Sequence, residues 1–150
     1  MRMRIAMAGV VALTGSLAAC GGNSTGSDDY CQQLQTSVSS FAQLDADNFP
    51  DVVEAYHRLA AAAPEAVRAD WKTLDTTMTS LDTALRSADI TLAELPGTPS
   101  QKSLAGVDPA KVQAVTKAAS RLSSPAFTKA ATAVQEHGEK VCGVRTSETS

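Results

Sequence analysis

Val67-Arg68-Ala69-Asp70-Trp71-Lys72-Thr73-Leu74-Asp75-Thr76-Thr77-Met78-Thr79-Ser80-Leu81-Asp82-Thr83-Ala84-Leu85-Arg86-Ser87-Ala88 is the stretch on which the fold turns. Its apolar positions Val67, Trp71, Leu74, Met78, Leu81, Leu85 and Ala88 step by 4, 3, 4, 3, 4, 3. That spacing holds one narrow apolar seam along a single helix for about six turns, as in bundles and coiled coils. Three heptads are short for a free coiled coil, and the rest of the chain has apolar residues to cover the seam. The stretch is therefore expected to be the core helix of a bundle.

Outward from this helix the pattern stays helical, without sustained alternation of period two. A first helix is expected from Asp29 to Leu44, capped by Asp28 or Asp29, with Cys31, Leu34, Val38 and Phe41 on one stripe. A second starts near Asn48, where Pro50 suits the first turn and Asp51 complements the dipole. Val52, Tyr56, Leu59 and Ala63 form its inner face, Leu59 to Ala63 suits close helix packing, and Pro64 stops it. Beyond the seam, Thr91 and Glu94 have the spacing of a capping box, and Pro96-Gly97 opens a loop to Val107. Asp108-Pro109 and Ser124-Pro125 each read as an N-cap followed by a first-turn proline. They start a fourth helix with Val112, Val115, Ala119 and Leu122 inward, and a fifth with Phe127, Ala131, Val134 and Val141 aligned. Gly143 closes the fifth as a C-cap. The expected class is all-α, a bundle of four to five helices.

The N-terminus has a different character. Arg2 and Arg4 precede the apolar run Ile5 to Leu13, and small residues lead to Leu17-Ala18-Ala19-Cys20. These are the regions of a secretory signal in order, and the run is too short for a hydrocarbon core of roughly 30 Å. Residues 1–19 are expected to be a cleaved lipoprotein signal peptide, with Cys20 lipidated at the extracytoplasmic face of the cell membrane. Two or more chains, at about 0.8 kcal/mol per buried methylene, give stable anchoring. Residues 20–28 are Gly/Ser-rich and are expected to be a flexible tether with a reach of about 15 Å. The domain is expected over residues 29–144, with a frayed tail at 145–150.

Cleavage after residue 19 leaves 131 of the 150 residues, one ordinary domain able to bury roughly two thirds of its unfolded surface. The whole chain has 13 basic and 16 acidic residues; without Arg2 and Arg4 the balance is 11 against 16, near −5. That opposes nucleic-acid binding and a polybasic contact with anionic lipid. With Cys20 lipidated, Cys31 and Cys142 remain, an even count in an oxidising compartment. The pair reads as a disulfide between the first and last helices; free or metal-binding thiols are the competing reading, and without a nearby histidine pair they make a poor zinc site. Five strictly alternating helices would place the two cysteines at opposite poles. A bridge thus calls for segment 89–108 to run back along the bundle, or for the short second helix to pack obliquely.

Sites for chemistry are scarce. Glu54 and His57 make half of a Glu-x-x-His pattern, but His137 follows Val134, so the second half of a di-iron site is missing. Asp45, Asp47 and Asp51 lack the glycine and terminal glutamate of a calcium loop. No nucleophile elbow or phosphate-binding glycine loop stands out. The six aromatic residues fall mostly at core positions, Trp71 among them. No cofactor, metal or catalytic residue is expected.

Asp29-Tyr30-Cys31, Ala63-Pro64-Glu65 with Asp70-Trp71, Gly106-Val107-Asp108-Pro109, Ser124-Pro125-Ala126-Phe127 and Val141-Cys142-Gly143-Val144 carry a family likeness. The chain resembles a set of small, Ala-rich lipoproteins of actinobacteria over nearly the whole mature domain. The resemblance implies location and fold and transfers no catalytic residue. The expected role is a non-catalytic binding or protein-interaction module of the cell envelope, with an envelope protein as a possible partner. A structural spacer, or an enzyme with dispersed active-site residues, is the alternative.

Overall fold

The computed structural model describes residues 24–42, 48–95 and 106–144. They form five α-helices: α1 (Ser24–Ala42), α2 (Phe49–Ala62), α3 (Glu65–Ala88), α4 (Pro109–Ser120) and α5 (Pro125–Cys142). Single 3-10 turns follow α3 at Leu92–Glu94 and α4 at Arg121–Ser123. No strand occurs among the described residues. The fold is an all-α bundle in which a disulfide links the first and last helices.

All seven seam residues of α3 are buried, and Thr77 beside Met78 joins them. The helix is the axis of the molecule, packed on α2, α4 and α5. Its start is set by Ala63 and Pro64, both with extended backbone, which separate it from α2. Its end is set by Asp89, whose backbone is left-handed at φ 55°. The Asp89 N–H donates to the Arg86 carbonyl at 3.2 Å and the Ile90 N–H to the Leu85 carbonyl at 3.0 Å. These paired bonds close the last carbonyls and fold Ile90 back into the core.

The core falls into two clusters along α3. One joins Phe49, Val52 and Val53 of α2, Met78, Leu81 and Leu85 of α3, and Val115 and Ala118 of α4. The other joins Tyr30 and Leu34 of α1, Leu59 and Ala63, Val67, Trp71 and Leu74, and Ala130 and Val134 of α5. The α4 helix thus covers the C-terminal half of α3 and α5 the N-terminal half, without substantial packing on each other.

This division corrects the expected connection. Leu92, Leu95 and Val107, at the two described ends of segment 89–108, pack against the same cluster, so both ends of that segment lie at one half of the bundle. The last pass is instead made by α4 and α5 in series, jointed at the 3-10 turn. Four passes rather than five return the chain to its starting pole, and Cys31 and Cys142 meet with Cα atoms 5.1 Å apart across a separation of 111 residues.

Other differences are local. Helix α1 starts at Ser24, so part of the stretch read as tether is helical and neither Asp28 nor Asp29 is the cap. Once Tyr30 and Leu34 are held by packing, extending a formed helix by a turn is far easier than starting one. Val141 is 54% exposed rather than inward; α5 instead buries Ala130, Val134 and Gly138. On α4 the buried pair is Val115 and Ala118. The capping box is present, with Glu94 Oε2 accepting from Thr91 N at 2.8 Å. Both N-caps form: Asp108 Oδ1 accepts from Ala110 N at 2.8 Å and Ser124 Oγ from Phe127 N at 3.2 Å. Gly143 closes α5 in the left-handed conformation. Residues 1–23, 43–47, 96–105 and 145–150 lie outside the described residues, and with them the signal, Cys20, most of the 96–107 loop, and the tail.

Candidate binding crevice

Helices α1 and α5 come together at the disulfide pole. There Cys31 is bonded to Cys142, and the Tyr30 and His137 rings lie 5.9 Å apart. Gly138 allows this approach: a Cβ there would stand 2.9 Å from Leu34 Cδ2. Beneath the pole, Trp71 Nε1 donates to Tyr30 Oη at 2.8 Å between two side chains almost wholly removed from solvent. Desolvation raises the Tyr30 pKa above its ordinary 10.0, while the Trp71 hydrogen bond pulls the other way.

Away from the pole an apolar crevice in two parts lies over the buried face of α3. Its first part, about 190 Å³, is lined by Leu34, Val38, Phe41, Tyr56, Trp71, Leu74, Ala131, Val134, Gln135, Gly138 and Val144. Its second part, about 250 Å³, is lined by Phe41, Phe49, Val52, Tyr56, Met78, Leu81, Leu92, Leu122 and Phe127. Phe41 and Tyr56, with ring centroids 5.0 Å apart, border both parts. Among the described residues, no charged side chain lines either part. Burial raises the Tyr56 pKa above 10.0, so its hydroxyl is neutral at ordinary pH. Each part by itself is smaller than the range of about 300–1,000 Å³ found for small-molecule sites.

The titratable groups are not gathered there. His57 Nδ1 on α2 lies 2.6 Å from Asp75 Oδ1 on α3, a polar contact between the two helices. Glu54 faces Arg58 at 3.8 Å, one turn along its own helix. Asp51 is exposed in the first turn of α2, and Asp45 and Asp47 lie outside the described residues. His137 Nε2 is buried without a hydrogen-bond partner. No group of three or more His, Cys, Asp or Glu residues suited to a metal ion occurs among the described residues.

Of the residues singled out in the sequence, Cys31 and Cys142 are brought together as a disulfide and Trp71 is core, as expected. The sequence does not mark where the crevice lies. Its lining consists of residues that the periodicity marks as core, and periodicity gives a residue's face but not whether two neighbouring helices close over it. Gly138, the small residue of α5 that faces α1, marks the closed pole and not the crevice. No family model, curated protein or solved structure matches the chain.

Proposed function

We propose that the protein is an extracytoplasmic lipoprotein, anchored to the cell membrane through lipid on Cys20, whose bundle is a non-catalytic binding module of the cell envelope. The observation that carries the binding role is the apolar crevice between α1 and α5. A spacer would be served by a filled core and an evenly solvated surface. The anchor rests on the order Arg2, Arg4, Ile5 to Leu13 and Leu17-Ala18-Ala19-Cys20. The Cys31–Cys142 bridge supports an oxidising compartment. The likeness to actinobacterial lipoproteins points the same way.

The test is the intact mass of the native protein purified from its membrane, with and without reduction before alkylation. A mass equal to residues 20–150 plus at least a diacylglyceryl group is expected, with Cys31 and Cys142 alkylated only after reduction. An unlipidated mass with freely alkylated cysteines would overturn the anchor and the compartment together.

A further inference from the structure

We infer that the disulfide pole of the bundle is a lipid-facing surface, which rests on the headgroups of the bilayer that holds Cys20 and meets them with Val141. The inference rests on the anchor proposed above and adds which part of the fold that anchor presents to the membrane.

Covalent reach carries the first half of the argument. Ser24, where α1 begins, is the fourth residue after Cys20. A chain of that length spans at most about 14 Å in any conformation. Cys31 follows about 10 Å further along the helix axis. The bridge therefore lies within about 25 Å of chain from the lipid.

The core clusters identify the pole so reached. Tyr30 near the start of α1 packs with Leu59 and Ala63 at the end of α2 and with Val67 at the start of α3. Phe49, which opens α2, packs with Ala88 and Ile90 at the far end of α3. The run of α3 from Val67 to Ala88, about 30 Å, separates the two poles. A bilayer tied to Cys20 is thus close to the disulfide pole, with the other pole directed away from it.

Side-chain exposure supplies the second half. Val141 lies two turns beyond the buried Val134 on one stripe of α5. Yet Val141 is 54% exposed, a large apolar side chain left in water beside Cys142, at the pole that the anchor reaches. Burying it among headgroups removes apolar surface from water. One such side chain would not hold a free protein, but the tether makes the encounter intramolecular, and a small contact is then occupied. Asp28 and Asp29 are exposed near the start of α1. They repel anionic headgroups, so a zwitterionic or uncharged lipid surface suits this pole.

The test uses the native protein, with its lipid verified by mass, in nanodiscs of zwitterionic lipid with and without a gadolinium-chelating headgroup. Loss of amide signal is expected at Asp29, Tyr30, Gly143 and Val144, with the signals of Ile90, Leu92 and Lys111 retained. Val141→Ser should restore part of the signal at Gly143 and Val144, and its spectrum in undoped discs shows whether it is folded. Equal loss at both poles, greater loss at the far pole, or undiminished loss in the folded Val141→Ser protein would overturn the inference. The mass separates the two levels of the argument. A chain without lipid on Cys20 overturns anchor and orientation together, whereas a lipidated chain with its far pole nearer the bilayer overturns the orientation and leaves the anchor.

Discussion

Asp89 pays for its position at the end of α3 with a left-handed backbone that an L side chain adopts only at a cost. Its side chain is exposed, and glycine has no Cβ to clash in that conformation. Asp89→Gly should therefore stabilise the protein by about 0.5–1 kcal/mol, seen as a higher denaturation midpoint with an unchanged slope. The tyrosines give a second expectation. Tyr30 and Tyr56 both have folded pKa values above the ordinary 10.0, so on raising the pH the unfolded chain gives up these protons first. The stability they contribute is whole below pH 10 and is lost as the pH rises through the folded values. Tyrosinate absorbance in an alkaline titration should lag behind that of free tyrosine and coincide with loss of helical circular dichroism. Ionisation at the ordinary value with the helices intact would contradict the desolvated setting of both hydroxyls.

At the scale of elements, α1 packs on α2 but meets α5 mainly at the disulfide pole. Reduction should therefore act first on the α1–α5 seam. Amide exchange should quicken in α1 and the last turns of α5, while the Leu74–Leu85 stretch of α3, enclosed by α2, α4 and α5, keeps its protection. Equal loss throughout would mean that α1 is held by the bundle and not by the bridge. The elements were legible where one rule dominated. The 4,3 spacing of Val67 to Ala88 gave α3 in full, and Asp108-Pro109, Ser124-Pro125 and Gly143 gave three helix ends, since caps are local chemistry. Val141 defeated the reading because α5 needs an inner face only as wide as α3 and α1 make it. The serial arrangement of α4 and α5 was equally hidden: it depends on which half of α3 each helix covers, and helical periodicity carries no such address. The crevice belongs to this second kind, a space between elements and not a property of any one of them.

For the whole molecule, the bridge encloses almost the entire described chain, from Cys31 to Cys142. In the chain-entropy account a loop of that order restricts the unfolded state by about 4.7 kcal/mol, an upper figure. Guanidinium unfolding with and without reductant should show a drop of that size or less, still in a single transition if the two core clusters unfold together through α3. Two transitions in the oxidised protein would make the clusters separate cooperative units. The same bond has a mechanical consequence. It joins the beginning and the end of the bundle at one pole, so tension applied between the two ends of the described chain passes through the first turns of α1 and then crosses the covalent bridge. The 110 residues between the cysteines are shielded from the load.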